Sequence, residues 1–334
     1  MVKISSVVER NTDGDLLLKW EVSPDQEGNI DIYVSETDTS LDNFSPVASA
    51  RVADQVLRIH PSAGGSRQFF FLRTPAAFSG IVTNRIIDTQ GIKNFRDAGG
   101  YFTTDNRQMK WGMIFRSGDL SNATLSDQTK IRELGIRTII DFRSTRTARN
   151  FPILLHPSIR IVSLPLAPMD MQRINNHLDN DNFNRSDAIR YMQEMYVEIV
   201  ENHKIEFADM FDVLTNESSY PILLTDALGK DGVGLATFFI LHAIGIPENV
   251  LLDDYMFNSQ NFKDIIQSTI DGQNLSESMQ EAVTAMLSVN RAYLNFAIEH
   301  IRQVYGSVDN YLEYELRVSS GKKALLRRYL LYPF

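Results

Sequence analysis

The pattern of apolar residues changes near residue 80, and this change limits the fold more than any other feature of the sequence. Before it, β-rich runs at 16–22, 30–34 and 67–73 are separated by turn-forming segments such as 61–65. Several short strands at this spacing predict a small all-β sandwich domain over residues 1–80. No catalytic pattern is present there, and a role in packing or interaction is the simplest interpretation.

From residue 81 onwards, apolar strands alternate with helices, which predicts an α/β domain over 81–334 with a central sheet flanked by helices. The segment 75–80 is the predicted join, and the sandwich is loosely of the fibronectin-III type. The remaining expected elements are a helix from 125 to 134, buried strands at 136–142 and 221–225, an exposed polar loop at 175–185, and helices at 186–203, 233–243 and from 249 to the end.

Composition excludes several classes of protein. The net charge of −9 argues against nucleic acid and anionic membranes as general partners. The absence of cysteine excludes disulfides, thiolate metal sites and thiol nucleophiles. The longest apolar run, 235–246, is about a dozen residues and is too short to span a bilayer. We therefore expect a soluble chain. The first residues lack the apolar run of a signal peptide, and two locations stay open, the cytoplasm or export by a signal that is absent from this sequence.

One segment, residues 220–237, has the pattern expected of an anion-binding loop. An apolar strand leads into a loop with Gly229, and the loop leads into a helix. Such a turn directs backbone N–H groups and the positive end of a helix dipole at one point, which suits a phosphate. The loop is not a Walker A motif, because Lys230 is followed by Asp231 rather than by Ser or Thr. The arrangement alone is weak evidence, since every α/β fold contains strand–loop–helix turns.

Several motifs together resemble the bacterial tyrosine phosphatase family. The loop is similar to that family's signature, His-Cys-x-x-Gly-Lys-Asp-Arg-x-Gly, and an upstream segment is similar to its opening motif. The matching segments, in order, are Asn94-Phe95-Arg96-Asp97-Ala98-Gly99-Gly100-Tyr101, Arg116-Ser117-Gly118-Asp119-Leu120, 134–144, 225–234, Asp254-Tyr255 and 304–312. The resemblance covers roughly residues 85 to 332, and it implies a phosphatase-like α/β fold and a phosphate pocket.

The sequence departs from the family pattern at the chemical centre. The position of the nucleophilic Cys is Asp226, the preceding His is Thr225, and the Arg that grips phosphate is Gly232. The resemblance implies that Asp231 matches the family's general acid and that Lys230 is a retained cation. The whole candidate loop, catalytic positions included, comprises Thr225, Asp226, Ala227, Leu228, Gly229, Lys230, Asp231, Gly232, Val233 and Gly234.

These substitutions are expected to abolish the usual mechanism. A carboxylate is a much poorer nucleophile towards a phosphate ester than a thiolate. It also repels the dianion by about 4 kcal/mol per charge pair at 4 Å and an effective dielectric constant of 20. Loss of the Arg removes the planar donor that stabilises the transferring oxygens. We therefore predict a degenerate phosphatase that binds a phosphorylated or other small anionic ligand, or a protein partner, and that needs no cofactor.

An active enzyme is the alternative. Asp226 could accept a phosphoryl group if further carboxylates held Mg²⁺ beside it, and Asp231, Asp97 and Asp141 are the available carboxylates. The chain would then be a phosphoric-monoester hydrolase with an unconventional, metal-assisted site. The same carboxylates could bind a cation without catalysis. The six histidines show no metal-ligand spacing, and no metal site is predicted from them.

Five other charged residues of the matching motifs are candidate pocket residues. Arg96, Arg116 and Arg143 could line an anion pocket or could hold loops by ion pairs. Asp97 and Asp141 are better interpreted as partners of such arginines than as catalytic acids.

Two expectations concern the interior of the loop. The Asp226 carboxylate should accept hydrogen bonds from the loop N–H groups, much as a side chain caps a helix. Asp226 and Lys230 should also neutralise one another.

Overall fold

The computed structural model describes residues 2–38, 45–61, 67–166, 168–169, 171–178, 183–257, 262–271 and 275–333. The chain forms two compact units, Met1–Ile87 and Asp88–Phe334. The sequence placed the boundary earlier, between residues 80 and 81. The residues after 80 belong to the first unit because Val82 pairs with Phe70 and Asn84 pairs with Val8 through isolated backbone bridges.

The first unit contains two antiparallel sheets. One has the strand order β1 (Lys3–Arg10), β2 (Leu16–Ser23), β5 (Val56–Ile59), and the other has the order β4 (Ala48–Arg51), β3 (Asn29–Ser35), β6 (Phe69–Thr74), β7 (Ala77–Phe78). The three predicted strands coincide with β2, β3 and β6. Residues 62–65 of the predicted turn lie outside the described residues.

Alternate residues of β2 are buried, as expected for a strand with one face against a core. Both sheets contribute to one hydrophobic cluster, which includes Leu18 and Trp20 from the first sheet and Ile32, Phe70 and Leu72 from the second.

The second unit is built on a mixed five-stranded sheet with the order β11 (Arg160–Ser163), β10 (Thr138–Asp141), β12 (Ile222–Thr225), β9 (Ile114–Ser117), β8 (Arg96–Asp97). Strands β9, β10, β11 and β12 are parallel, and β8 is antiparallel to β9. Ser117, Asp141 and Thr225 are in register at the carboxyl ends of their strands. Loops from three strands therefore meet at one edge, where α/β proteins bind ligands.

Helices accompany this sheet along the whole unit. They are α1 (Leu125–Glu133), α2 (Thr145–Asn150), α3 (Met171–Leu178), α4 (Arg185–Asn202), α5 (Lys204–Leu214), α6 (Gly232–Ile244), α7 (Glu248–Met256), α8 (Lys263–Ile270), α9 (Glu277–Leu287), α10 (Arg291–Tyr305), α11 (Val308–Asn310) and α12 (Ser320–Leu330). The predicted helices at 125–134, 186–203 and 233–243 correspond to α1, α4 and α6. A sheet flanked by helices is the predicted architecture, and it is confirmed. In the described part of the chain, no helix has both the length and the apolar character needed to cross a membrane.

The predicted polar loop at 175–185 is wrong over its first part, because α3 extends to Leu178. Ile174 is fully buried, and the His177 ring stacks on Phe183 with 4.4 Å between centroids. These tertiary contacts outweigh the turn preference of the asparagines beside them. Residues 179–182 lie outside the described residues.

Candidate functional site

The segment 223–243 is a strand, a tight loop and a helix, as the sequence predicted. Gly229 closes the turn with a φ of 70°, a conformation that favours glycine. A Cβ atom at this position would lie 2.6 Å from the backbone carbon of Ser117. The loop therefore rests directly on the end of β9, and only glycine fits at its closest point.

The Asp226 side chain occupies the interior of this loop. Its Oδ1 accepts hydrogen bonds from the backbone N–H groups of Leu228 (3.0 Å) and Gly229 (2.5 Å), and its Oδ2 accepts one from Val233 (2.9 Å). The residue is 1% exposed. The expectation that Asp226 would satisfy the loop N–H groups is confirmed. Donors that could hold a phosphate are engaged by the chain's own carboxylate.

The ionisation of Asp226 reflects two opposing influences. Burial, followed by the negative charge of Asp231, raises the pKa of the Asp226 carboxyl group to about 6, although the three N–H donors lower it. At pH 8 the group is therefore mainly a carboxylate, and at pH 5 it is mainly protonated. Whether the loop interior carries this negative charge thus depends on pH within the neutral range.

The expected pairing of Asp226 with Lys230 is wrong. Lys230 Nζ lies 2.6 Å from Asp231 Oδ1, and both side chains are fully buried. Asp231 Oδ1 also accepts a hydrogen bond from the Tyr196 hydroxyl (2.7 Å), which lies 2.6 Å from the Tyr255 hydroxyl. Tyr196 and Tyr255, contributed by α4 and α7, thus complete a buried polar cluster around the Lys230–Asp231 pair.

Two features of this cluster concern proton transfer. Burial, and next the charge of Asp231, raise the pKa of both Tyr196 and Tyr255 well above the usual tyrosine value, so both hydroxyls keep their protons. The second oxygen of Asp231, Oδ2, is buried and has no hydrogen-bond partner among the described residues. The position that the family resemblance assigns to the general acid is therefore the anion of a buried ion pair.

The position of the missing Arg is packed by an apolar side chain. Gly232 is the first residue of α6, and a Cβ atom there would lie 3.2 Å from Leu166 Cδ1 and 3.4 Å from Asp226 Oδ2. Leu166, which follows β11, is fully buried. A residue larger than glycine at position 232 would therefore require this leucine side chain to shift. No sequence pattern pointed to Leu166, because its contact with Gly232 joins segments far apart in the chain.

Two of the three candidate arginines hold the backbone of the loop through hydrogen bonds. Arg116 donates to Asp254 Oδ2 (2.7 Å) and to the carbonyl of Gly229 (3.0 Å). Arg96 donates to Asn94 Oδ1, and Asn94 Nδ2 in turn donates to the Gly229 carbonyl at 2.9 Å. Both guanidinium groups are buried. Their observed contacts fix the backbone of the loop. Of the two roles that the sequence allowed, lining an anion pocket or holding loops, these contacts correspond to the second.

The other predicted pocket residues are Arg143, Asp141 and Asp97. Arg143 Nη2 pairs with Asp141 Oδ2 (2.8 Å), and Arg143 Nη1 pairs with Asp119 Oδ1 (2.7 Å). Asp97 accepts hydrogen bonds from the backbone N–H groups of Gly99 (2.8 Å) and Gly112 (2.7 Å).

The remaining loop positions serve local packing. Thr225, at the position of the family's His, donates its hydroxyl proton to the Gly118 carbonyl (2.7 Å). Ala227 and Leu228 are half-buried, whereas Val233 and Gly234 are buried in the first turn of α6. In the residues that the structure describes, no group of three His, Asp or Glu side chains is placed to hold a metal ion.

A glycine-closed loop between a parallel strand and a helix, at the carboxyl edge of the sheet, is typical of the class of α/β proteins that bind anions at a helix N-terminus. Within that class, a model of the tyrosine phosphatase family matches residues 87–332. The chain therefore belongs to the tyrosine phosphatase family.

Two curated proteins are similar to this chain in sequence, and both bear phosphatase names. One is a Cupriavidus necator protein that is named as a tyrosine-protein phosphatase by inference. It is 26% identical over 68% of this chain and 82% of its own length. The triple specificity protein phosphatase PtpB of Mycobacterium tuberculosis is 28% identical over 66% of this chain and 91% of its own length.

Solved structures are more distant. The catalytic domain of the PP-IP phosphatase SIW14 from S. cerevisiae, in complex with citrate, is 13% identical with a TM-score of 0.30, covering 67% of this chain and 98% of that one. A Cys-to-Ser variant of P. aeruginosa TpbA in complex with pTyr is 12% identical with a TM-score of 0.25, covering 52% of this chain and 86% of that one.

Proposed function

We propose that this protein is a pseudophosphatase, a tyrosine phosphatase family member that acts by binding rather than by hydrolysis. The observation that carries the proposal is the position of the Asp226 carboxylate, which accepts three N–H bonds inside the phosphate loop. A phosphate would need those same donors, and it would meet a like charge there. The nucleophile and the phosphate-binding Arg are both absent from the sequence positions that supply them in the family.

Burial of the loop supports the same proposal. Asp226, Lys230 and Asp231 are each at most 1% exposed, so the catalytic positions are closed by protein. Leu166 occupies space beside Gly232, so a side chain that begins at this position meets it at its first carbon. A loop whose N–H donors are engaged by a buried carboxylate is already occupied by the protein's own group. Its retained geometry then serves the fold, and recognition of a ligand or partner takes place at the surface.

We also propose that the first unit is a β-sandwich. The support is that its two antiparallel sheets bury their inward-facing residues in one cluster. As an interaction or packing module it would extend the surface available to a protein partner.

The first test is turnover of an aryl phosphate by the unaltered chain. We expect a rate at background, with and without Mg²⁺, because no group with the reactivity of a thiolate lies in the loop. The rate should be compared with that of the Asp226→Asn variant. Turnover above background that disappears in Asp226→Asn would contradict the proposal and would favour a phosphoryl-accepting carboxylate, with Mg²⁺ dependence identifying metal assistance.

Anion binding in the loop provides a second prediction. The unaltered chain should bind sulfate in the loop more weakly than about 1 mM, and Asp226→Ser should bind it about tenfold more tightly because the internal competitor is removed. Sulfate is preferred to phosphate because its charge does not change between pH 5 and pH 8. The measurement is NMR titration read at the amide signals of Leu228, Gly229 and Val233.

The pH dependence and a matched variant act as controls for this titration. With the Asp226 pKa raised to about 6, the advantage of the Ser variant should be large at pH 8 and small at pH 5, where the wild-type carboxyl group is mainly protonated. Asp209→Ser removes the same charge from an exposed position of α5 and should leave loop binding unchanged. Tighter sulfate binding by the unaltered chain than by Asp226→Ser would refute the capping role of Asp226.

A further inference from the structure

A cavity of about 470 Å³ lies in the second unit, away from the phosphate loop. Its wall comes from two segments far apart in the sequence, residues 107–110 and 324–333. Four of the lining side chains are basic and three are apolar: Arg107, Lys110, Arg327 and Arg328, with Ala324, Leu331 and Pro333. Four cationic residues around one cavity are unexpected in a chain whose net charge is −9. We refer to this cavity as the basic pocket.

Backbone hydrogen bonds hold the two walls of the basic pocket together. The N–H of Lys110 donates to the carbonyl of Leu330 (2.7 Å), and the N–H of Tyr332 donates to the carbonyl of Gln108 (2.9 Å). The Arg107 guanidinium donates from Nη2 to the Tyr332 carbonyl at 3.0 Å. The pocket is therefore formed before any ligand arrives, so that binding need not order the backbone around it.

The described residues neutralise only part of the charge in the pocket. Arg327 pairs with Asp105, with 2.6 Å between Nη2 and Oδ2. Lys110 and Arg328, by contrast, take part in no ion pair or side-chain hydrogen bond with any described residue. Lys110 is half-buried and Arg328 is exposed. Two cations that line one cavity and have no ion-pair partner in the described part of the chain attract an anion and leave their N–H donors available to it.

We propose that the basic pocket binds a small organic anion that carries at least two negative charges and an apolar portion. The volume is within the range of small-molecule sites. Lys110 and Arg328 supply charge-assisted donors for phosphate or carboxylate oxygens, and Ala324, Leu331 and Pro333 supply apolar contact for the rest of the ligand. No residue from 225 to 234 lines the pocket. The proposal therefore goes beyond the state of the loop and would hold whether or not the loop is active.

The test is an NMR titration of the full chain with phenyl phosphate, compared with inorganic phosphate at the same pH. We expect saturable shifts at residues 107–110 and 324–333, with phenyl phosphate bound more tightly because of its ring. Lys110→Gln and Arg328→Gln should each weaken phenyl phosphate binding about fivefold or more, as expected for the loss of one charge-assisted hydrogen bond. Neither side chain has an ion-pair or hydrogen-bond partner among the described residues, and the Lys110 backbone bond to Leu330 is retained in Lys110→Gln, so neither variant should disturb folding.

Matched variants separate a site from general attraction. Lys130→Gln and Arg132→Gln, both on α1, remove the same charges outside the pocket and should leave the dissociation constant unchanged. Equal weakening by these controls would overturn the proposal, since binding would then follow net charge alone. Shifts confined to residues 225–234, or the absence of saturation at 10 mM ligand (roughly a limit of −3 kcal/mol), would also overturn it.

Discussion

Hydrolysis of an aryl phosphate is expected to appear when Thr225→His, Asp226→Cys and Gly232→Arg are combined. The cysteine regains a thiolate at the N-terminus of α6, and the arginine regains the donors that stabilise the transferring phosphoryl group. A rate at least about a thousandfold above the unaltered chain is expected, since loss of a single such donor typically costs two to three orders of magnitude. Steady-state turnover of the aryl phosphate at pH 6 to 7 measures it.

The position of Leu166 sharpens this experiment. A Cβ atom at residue 232 would lie 3.2 Å from Leu166 Cδ1, so an arginine there requires that side chain to shift. Adding Leu166→Ala should therefore raise the rate further by making room for the guanidinium. The matched control keeps Thr225→His and Gly232→Arg but carries Asp226→Ser instead of Asp226→Cys. It should be inactive. If the Cys and Ser variants are equally inactive while both remain folded, the loop has lost more than the three substituted residues.

A large loss of stability is expected from Lys230→Met. Its ammonium group is the cation 2.6 Å from Asp231 Oδ1, and both side chains are fully buried. Removing one partner of a buried ion pair leaves an uncompensated charge and typically costs about 3 to 5 kcal/mol. The hydroxyl groups of Tyr196 and Tyr255 are neutral, so they cannot replace the ammonium group beside Asp231.

The measurement is urea unfolding of the full chain, followed by a fluorescence signal that comes from the second unit alone. The chain has two tryptophans, Trp20 in the first unit and Trp111 in the second. A Trp20→Phe background therefore lets fluorescence report the second unit, which avoids a mixed transition from two units. Adding Asp231→Asn to Lys230→Met should recover much of the lost stability, and Lys130→Met on α1 should cost little. A loss below about 1 kcal/mol for Lys230→Met would contradict the buried ion pair.

The sequence predicted those parts of the site that depend on neighbours in the chain. Gly229 and the apolar strand before it indicated a tight loop, and the loop has that form. The capping by Asp226 could be predicted because its partners, Leu228, Gly229 and Val233, lie within seven residues of it. Short separations of this kind leave few alternative geometries, so residue types and spacing are sufficient.

The partners of charged groups could not be predicted in this way. Lys230 was expected beside Asp226, but it pairs with Asp231, in a buried cluster that Tyr196 from α4 and Tyr255 from α7 complete. A lysine side chain is long and flexible, so its place in the sequence limits only the range within which its ammonium group can lie. Packing of distant helices then selects one carboxylate over another.

What the sequence by itself determined is the family, the strand–loop–helix segment and the replacement of the nucleophile by Asp226. These depend on residue identity and on contacts between near neighbours. Only the tertiary structure decided that Leu166 lies beside Gly232 and that residues 107–110 and 324–333 line one basic pocket. Those contacts join segments separated by tens to hundreds of residues, and their geometry follows from the packing of the whole sheet and its helices rather than from any local pattern.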